Sequence, residues 1–124
     1  MRLDHAQLPM PPGGEDVARS FYRDVLGMPE VPKPPSMLAS GGVWFRSGDA
    51  ELHFSGESDF RPAKKAHPAL RVPDLDALAA RCEAAGHPAE WDERYPGVRR
   101  CYVFDPFGNR VELMQEGTPR WLEE

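Results

Sequence analysis

The chain has 124 residues, enough for one domain with a single buried core. Charged residues make up 28% and hydrophobic residues 40%, a globular balance that argues against a disordered chain. The net charge is −5, and the only basic clusters are the small ones at Arg61, Lys64, Lys65 and at Arg99, Arg100, so neither nucleic acid nor an anionic membrane is expected as a main partner.

Taken in chain order, "RLDHAQLPM" (residues 2–10) alternates polar and apolar residues and reads as a strand. "PPGG" breaks it. "EDVARSFYRDVLG" follows as a helix with Glu15 and Asp16 in its first turn, Val17, Phe21 and Val25 on one face, and Gly27 as its stop. "MPEVPKPP" is a stiff connector. "SMLAS", "GVWFRS" and "AELHFS" read as three short strands, the last two joined by a Gly48-Asp49 hairpin turn.

After the polar linker "SGESDFRPAKK" the order restarts. "HPALRV" is a strand, and "DLDALAARCEAAG" is a helix with Asp74 as N-cap and Leu75, Leu78, Cys82 and Ala85 on one face. "AEWDE", "RRCYVFD" and "RVELMQ" are strands, with "PFGN" turning between the last two, and "GTPRWLEE" is a tail. The two cysteines, Cys82 and Cys101, form no CxxC pair, which excludes a thiolate zinc site and argues against a disulfide framework. With no basic-then-apolar leader and no long apolar run, a soluble, reduced, cytoplasmic protein is expected.

The pattern is strand-helix-strand-strand-strand, twice, and the spacings repeat. The first helix ends in "GMP" at Gly27 and the second in "GHP" at Gly86. His53 lies 26 residues after Gly27, and Glu112 lies 26 after Gly86. His5 precedes Gly27 by 22 residues and His67 precedes Gly86 by 19, a difference that the extra "PPGG" absorbs. His5 therefore matches His67, and His53 matches Glu112. The hairpin register puts Trp44, Arg46, Glu51 and His53 on one sheet face and Val43, Phe45, Leu52 and Phe54 on the other. The apolar faces suit packing under the helices, so the His and Glu side chains are left on the opposite, concave face. His87 follows Gly86 off this pattern and reads as a surface residue.

These residues resemble the vicinal oxygen chelate superfamily, which includes glyoxalase I, fosfomycin resistance proteins, extradiol dioxygenases, methylmalonyl-CoA epimerase and bleomycin resistance proteins. The resemblance is carried by "LDHAQL", "FYRDVLGMP", "GDAELHF", "HPALRV" and, most specifically, "YVFDPFGNRVEL". It implies an α+β fold: two βαβββ modules forming a curled, cup-shaped mixed sheet. The first module spans about 2–56, the linker 57–66, the second module about 67–116 and the tail 117–124. It also implies that His5, His53, His67 and Glu112 occupy four metal-ligand positions. Many glyoxalase I sequences have a carboxylate where this chain has His53, a departure that leaves Glu112 as the single carboxylate.

Three imidazoles and a carboxylate suit a divalent transition metal (Zn, Fe, Ni, Mn or Co) rather than Ca or Mg, which prefer oxygen. Of these, His5, His67 and Glu112 alone would make the 2-His-1-carboxylate set of non-haem iron oxygenases. With His53 as fourth ligand, an octahedral ion keeps two open positions for two adjacent substrate oxygens. Glu112 is then either a catalytic base or a purely structural ligand. Trp44 is expected to wall the pocket, or else to make a core or dimer contact. Arg46 is expected to bind a carboxylate or phosphonate, or else to pair with Glu51 across the strands.

The expected function is a metal-dependent enzyme acting on a small oxygenated substrate, a glyoxalase-like lyase or isomerase ahead of a dioxygenase. The alternative is a metal-free drug-binding protein of the bleomycin-resistance type. A fosfomycin-type thiol transferase ranks third, because Arg46 and Arg71 are the only obvious anion binders. A homodimer is expected by resemblance, with "WLEE" packing on the partner.

Overall fold

The Gly48-Asp49 turn sets the register of the first hairpin, as its sequence predicts. Gly48 adopts φ +56°, which a side chain would strain, and strands β3 (Val43–Ser47) and β4 (Ala50–Gly56) pair Trp44 with His53 and Arg46 with Glu51. Val43, Phe45, Leu52 and Phe54 are all buried, so the expected apolar face is the core face. The structure, a computed structural model, describes residues 1–117; the partner contact expected of "WLEE" lies outside the described residues.

Strand β1 (Ala6–Met10) runs parallel to β4, and β2 (Glu30–Val31) runs antiparallel to β3, giving a four-stranded mixed sheet in the order β1-β4-β3-β2. The second half repeats it. Strands β5 (Ala69–Val72), β6 (Glu90–Asp92), β7 (Arg100–Phe104) and β8 (Arg110–Gln115) form a sheet in the order β5-β8-β7-β6, with β5 parallel to β8. This is the curled α+β arrangement of two βαβββ modules that the resemblance implies.

The structure departs from the sequence reading in three ways. Helix α1 covers only Glu15–Ala18 and continues as a wider π-helical turn over Arg19–Arg23, where Asp24 N–H reaches Arg19 O and Leu26 N–H reaches Phe21 O. The wider turn rotates the buried face to Ala18, Phe21 and Tyr22, and leaves Val17 at 45% exposure. "SMLAS" is not a strand but part of a 3-10 turn, Pro35–Ser40, with Met37 and Leu38 exposed. Pro34 and Pro35 fix φ and lack the N–H groups a ladder needs. The second strand of the module is instead the short β2, inside the proline connector. Finally, β1 and β5 begin one or two residues after His5 and His67, so both histidines enter the sheets from the preceding segments.

Helix α2 (Leu75–Ala84) is capped as expected, with Asp74 Oδ1 accepting from Ala77 N–H at 3.1 Å. It buries Leu75, Leu78, Ala79 and Cys82; Ala85 lies beyond its last turn and is exposed.

The "DPFGN" turn ties the halves together. Asp105 and Asn109 are buried, and Asp105 Oδ1 accepts from the Phe107 and Asn109 N–H groups at 2.9 and 2.8 Å. Asp105 Oδ2 accepts from Tyr22 Oη at 2.6 Å, and Asn109 Nδ2 donates to Pro9 O at 2.8 Å. His87 belongs to this junction and not to the free surface: its ring lies 4.6 Å from that of Phe21, and its Nδ1 donates to Phe104 O at 2.7 Å. Among the described residues no helix is long and apolar enough to cross a membrane.

Candidate functional site

The two sheets place the four repeat-related residues at matching positions. His53 lies opposite Gln7, and Glu112 lies opposite Ala69. His5 and His67 each stand two residues before those partners. Trp44 lies opposite His53, and Tyr102 lies opposite Glu112. Each module thus presents one His at a strand entrance, one polar group (His53 or Glu112) on an interior strand and one aromatic ring across from it.

In the first module the three rings stack. Trp44 lies 3.9 Å from His53 at 3°, and His5 lies 3.9 Å from His53 at 18°, so the His53 imidazole is sandwiched between them. Glu51 Oε2 accepts from His53 Nε2 at 2.7 Å, which leaves His53 Nδ1 as the free lone pair. Asp4 accepts from His5 Nδ1 at 2.9 Å and leaves His5 Nε2 free. Trp44 therefore covers one face of the His53 ring. Arg46 is 59% exposed and pairs with Glu51 at 3.8 Å, the cross-strand pairing that its position allows.

In the second module the donors face each other. His67 Nδ1 donates to Lys65 O at 2.7 Å, which turns Nε2 toward Glu112 Oε1 at 3.0 Å. Metal bonds of about 2.1 Å put adjacent octahedral ligand atoms about 3 Å apart, so this pair fits two corners of one ion. Arg100 Nη1 donates to the other oxygen, Glu112 Oε2, at 3.0 Å, and Arg100 Nη2 donates to Asp92 Oδ1 at 3.2 Å. The Arg94 side chain, whose Nε donates at 2.9 Å, and then Arg100 hold the Asp92 carboxyl well below the usual range. Tyr102 meets His67 edge-on at 5.4 Å and carries the Arg110 guanidinium on its face at 3.9 Å.

Among the described residues, no three His, Cys, Asp or Glu side chains of one chain gather closely enough to hold a metal. His5 stacks with His53, and His67 bonds to Glu112, but the two pairs stay apart. His5 and His67, one from each pair, help to line a groove of about 1,340 Å³ along the edge strands β1 and β5, together with Gln7, Glu51 and Arg71.

Four contacts at the site are absent from the sequence reading: Glu51 on His53, Arg100 on Glu112, Asp92 on Arg100, and Arg110 on Tyr102. The hairpin register already puts Glu51 on the face of His53, two residues away. Arg100 reaches Glu112 diagonally across β7 and β8, and the same-face rule for paired strands carries that signal once the register is known.

A family model described as Glyoxalase/Bleomycin resistance protein/Dioxygenase superfamily matches residues 2–113. A glyoxalase family protein from Bacillus anthracis has a similar structure, with TM-score 0.89, 43% identity and coverage of 93% of this chain and 94% of that one. Lactoylglutathione lyase from Agrobacterium tumefaciens is similar at TM-score 0.64 and 27% identity, with 90% and 92% covered. The fosfomycin resistance protein FosX from Listeria monocytogenes, at TM-score 0.71 and 18% identity, with 93% of each chain covered, shares the fold. None of the curated proteins matches the chain.

Proposed function

The chain belongs to the glyoxalase/bleomycin resistance protein/dioxygenase superfamily, and from that premise we propose that it is a metal-dependent enzyme acting on a small substrate with two adjacent oxygens. His5, His53, His67 and Glu112 would hold a divalent transition metal (Zn, Fe, Ni, Mn or Co). The observation that carries this reading is the 3.0 Å approach of His67 Nε2 to Glu112 Oε1, the spacing of two ligands on one ion. The bound ion supplies a Lewis acid that polarises a substrate carbonyl.

Among the described residues, the edges of β1 and β5 left without a further strand and the separation of the two pairs support a homodimer, in which the first module of one copy meets the second module of the other. Trp44 walls the site and orients His53, and Arg46 stands at its rim for an acidic substrate group. Glu112 is the candidate catalytic base, with Arg100 fixing its carboxylate. The reaction class is a glyoxalase-like lyase or isomerase ahead of a dioxygenase, a ranking supported by likeness to lactoylglutathione lyase. The buried free thiols Cys82 and Cys101 suit a reducing, cytoplasmic setting.

The test is metal analysis of protein purified without a His tag, followed by titration. About one equivalent of metal per site in wild type, and loss of uptake in Glu112→Ala, is the expected outcome. Less than about a tenth of an equivalent, with none taken up on titration, overturns the reading.

One observation favours a second reading, a metal-free binder. Arg100 already occupies Glu112 Oε2, while the Trp44–His53–His5 stack offers an aromatic shelf for a flat ligand. Ring-ligand binding unaffected by chelator distinguishes it.

A further inference from the structure

We propose that Arg110, apart from Arg46 at the rim, is an anion-binding residue of this site, so that the substrate carries an anionic oxygen group, carboxylate or phosphonate, beyond its two adjacent oxygens. The inference rests on the reading above and names the substrate class for the same site.

Arg110 lies two residues before Glu112 on β8 and shares its sheet face. Continuing the β5–β8 register by two residues puts it beside His67. Its guanidinium lies on the Tyr102 ring at 3.9 Å, and the same ring meets His67 at 5.4 Å. The residue therefore borders both donors of the second module.

Its charge has no counter-ion. Among the described residues Arg110 makes no ion pair, and its Nε is buried with no hydrogen-bond acceptor. The nearest carboxylate along the strand is engaged at both oxygens: Glu112 Oε1 bonds His67, and Oε2 bonds Arg100. Asp92, the other acid of this cluster, is taken by Arg94 and Arg100. In this group Arg100 and Arg94 are thus matched by acids, and Arg110 is the surplus cation. A buried guanidinium N–H without an acceptor costs stability, and a ring face offsets only part of that cost. The module repeat sharpens the contrast. Glu51, at the position matching Arg110, bonds to its own module's His53, whereas Arg110 makes no such bond to Glu112.

A guanidinium fork takes a carboxylate or phosphonate in a bidentate manner. The guanidinium lies over Tyr102, which stands directly across from Glu112, so the anion is expected a few bonds beyond the oxygen pair held near Glu112. A 2-oxo acid with a distal acidic group has that spacing.

The test is calorimetric titration of Ni-loaded protein with 2-oxoglutarate, 3-phosphonopyruvate and 2-oxobutanoate, the last lacking the distal anion. Wild type should bind at least one of the two acidic probes about tenfold more tightly than 2-oxobutanoate, and the better probe identifies carboxylate or phosphonate. Arg110→Gln should reduce that preference to within about threefold while Ni uptake stays unchanged; Arg110→Lys should keep part of it. The proposal is overturned if wild type shows no preference, or if Arg110→Gln retains it. Absence of Ni uptake in wild type would sink the metal reading instead. The metal-free protein is then titrated with glutarate and butyrate: an Arg110-dependent preference for glutarate sustains the anion subsite, and equal binding removes it.

Discussion

Tyr22 Oη donates to Asp105 Oδ2 at 2.6 Å, joining residues 83 apart through a buried, charge-assisted bond between the first helix and the last hairpin turn. Burial first, and the Asp105 carboxylate second, push the Tyr22 hydroxyl well above its ordinary range, so it stays a donor. Tyr22→Phe removes the donor and leaves Asp105 bonded to Phe107 and Asn109. It should lower stability by about 2 kcal/mol in urea denaturation with the fold retained. A loss below about 0.5 kcal/mol would mean the junction does not depend on this bond.

Glu51 is predicted to act on metal affinity through His53. Its carboxylate holds the Nε2 proton and leaves Nδ1 available. Glu51→Gln should weaken metal binding by about 10- to 100-fold, the usual range for an outer partner of a ligating histidine. Competition titration against a chromophoric chelator reads this directly, and unchanged affinity would remove His53 Nδ1 from the ligand set.

Arg100→Met should separate stability from the metal site. The Glu112 side chain is 7% exposed and loses its cation. Unfolding of the metal-free variant should be about 2 kcal/mol easier at neutral pH. Added metal should recover part of that loss, since it supplies positive charge to the same carboxylate. If metal stabilises wild type but not the variant, Arg100 is needed to orient Glu112 and does not compete for it.

Alkaline pH should weaken the fold through its core thiols. Burial pushes Cys82 and Cys101 up to about 11 from an ordinary 9.0. The folded state then holds protons that the unfolded state gives up, so this contribution is intact below about pH 9 and is lost as pH rises toward 11. Stability should fall by about 2 kcal/mol between pH 8 and pH 10. Cys101→Ala should reduce that fall by about half. A flat profile from pH 8 to 10 would show that both thiols titrate alike in the folded and unfolded states.

Much of the site was legible because its signals are short in range. Gly48-Asp49 dictates a two-residue turn, the turn dictates the β3–β4 register, and the register puts Trp44 against His53. Counting from Gly27 and Gly86 carried the same logic from His53 to Glu112, while Tyr102 as the ring across from Glu112 came only from the β7–β8 register. Local chemistry misled where two signals competed. "SMLAS" has strand-like apolar residues, but the prolines before it cannot join a ladder. The face of α1 shifted because a π turn adds one residue, which a regular helical period does not anticipate.

By itself the sequence determined the two βαβββ repeats, their inner and outer faces and the matching of His5 with His67 and His53 with Glu112, since alternation, turn residues and spacing act within a few residues of each other. Only the tertiary structure decided which partners those groups take. Asp105 reaches Tyr22, Arg100 bridges Asp92 and Glu112, and Arg110 is left on Tyr102 without an acid. These outcomes follow from how the sheets curl and pack, and side-chain charge is matched or stranded by that packing alone.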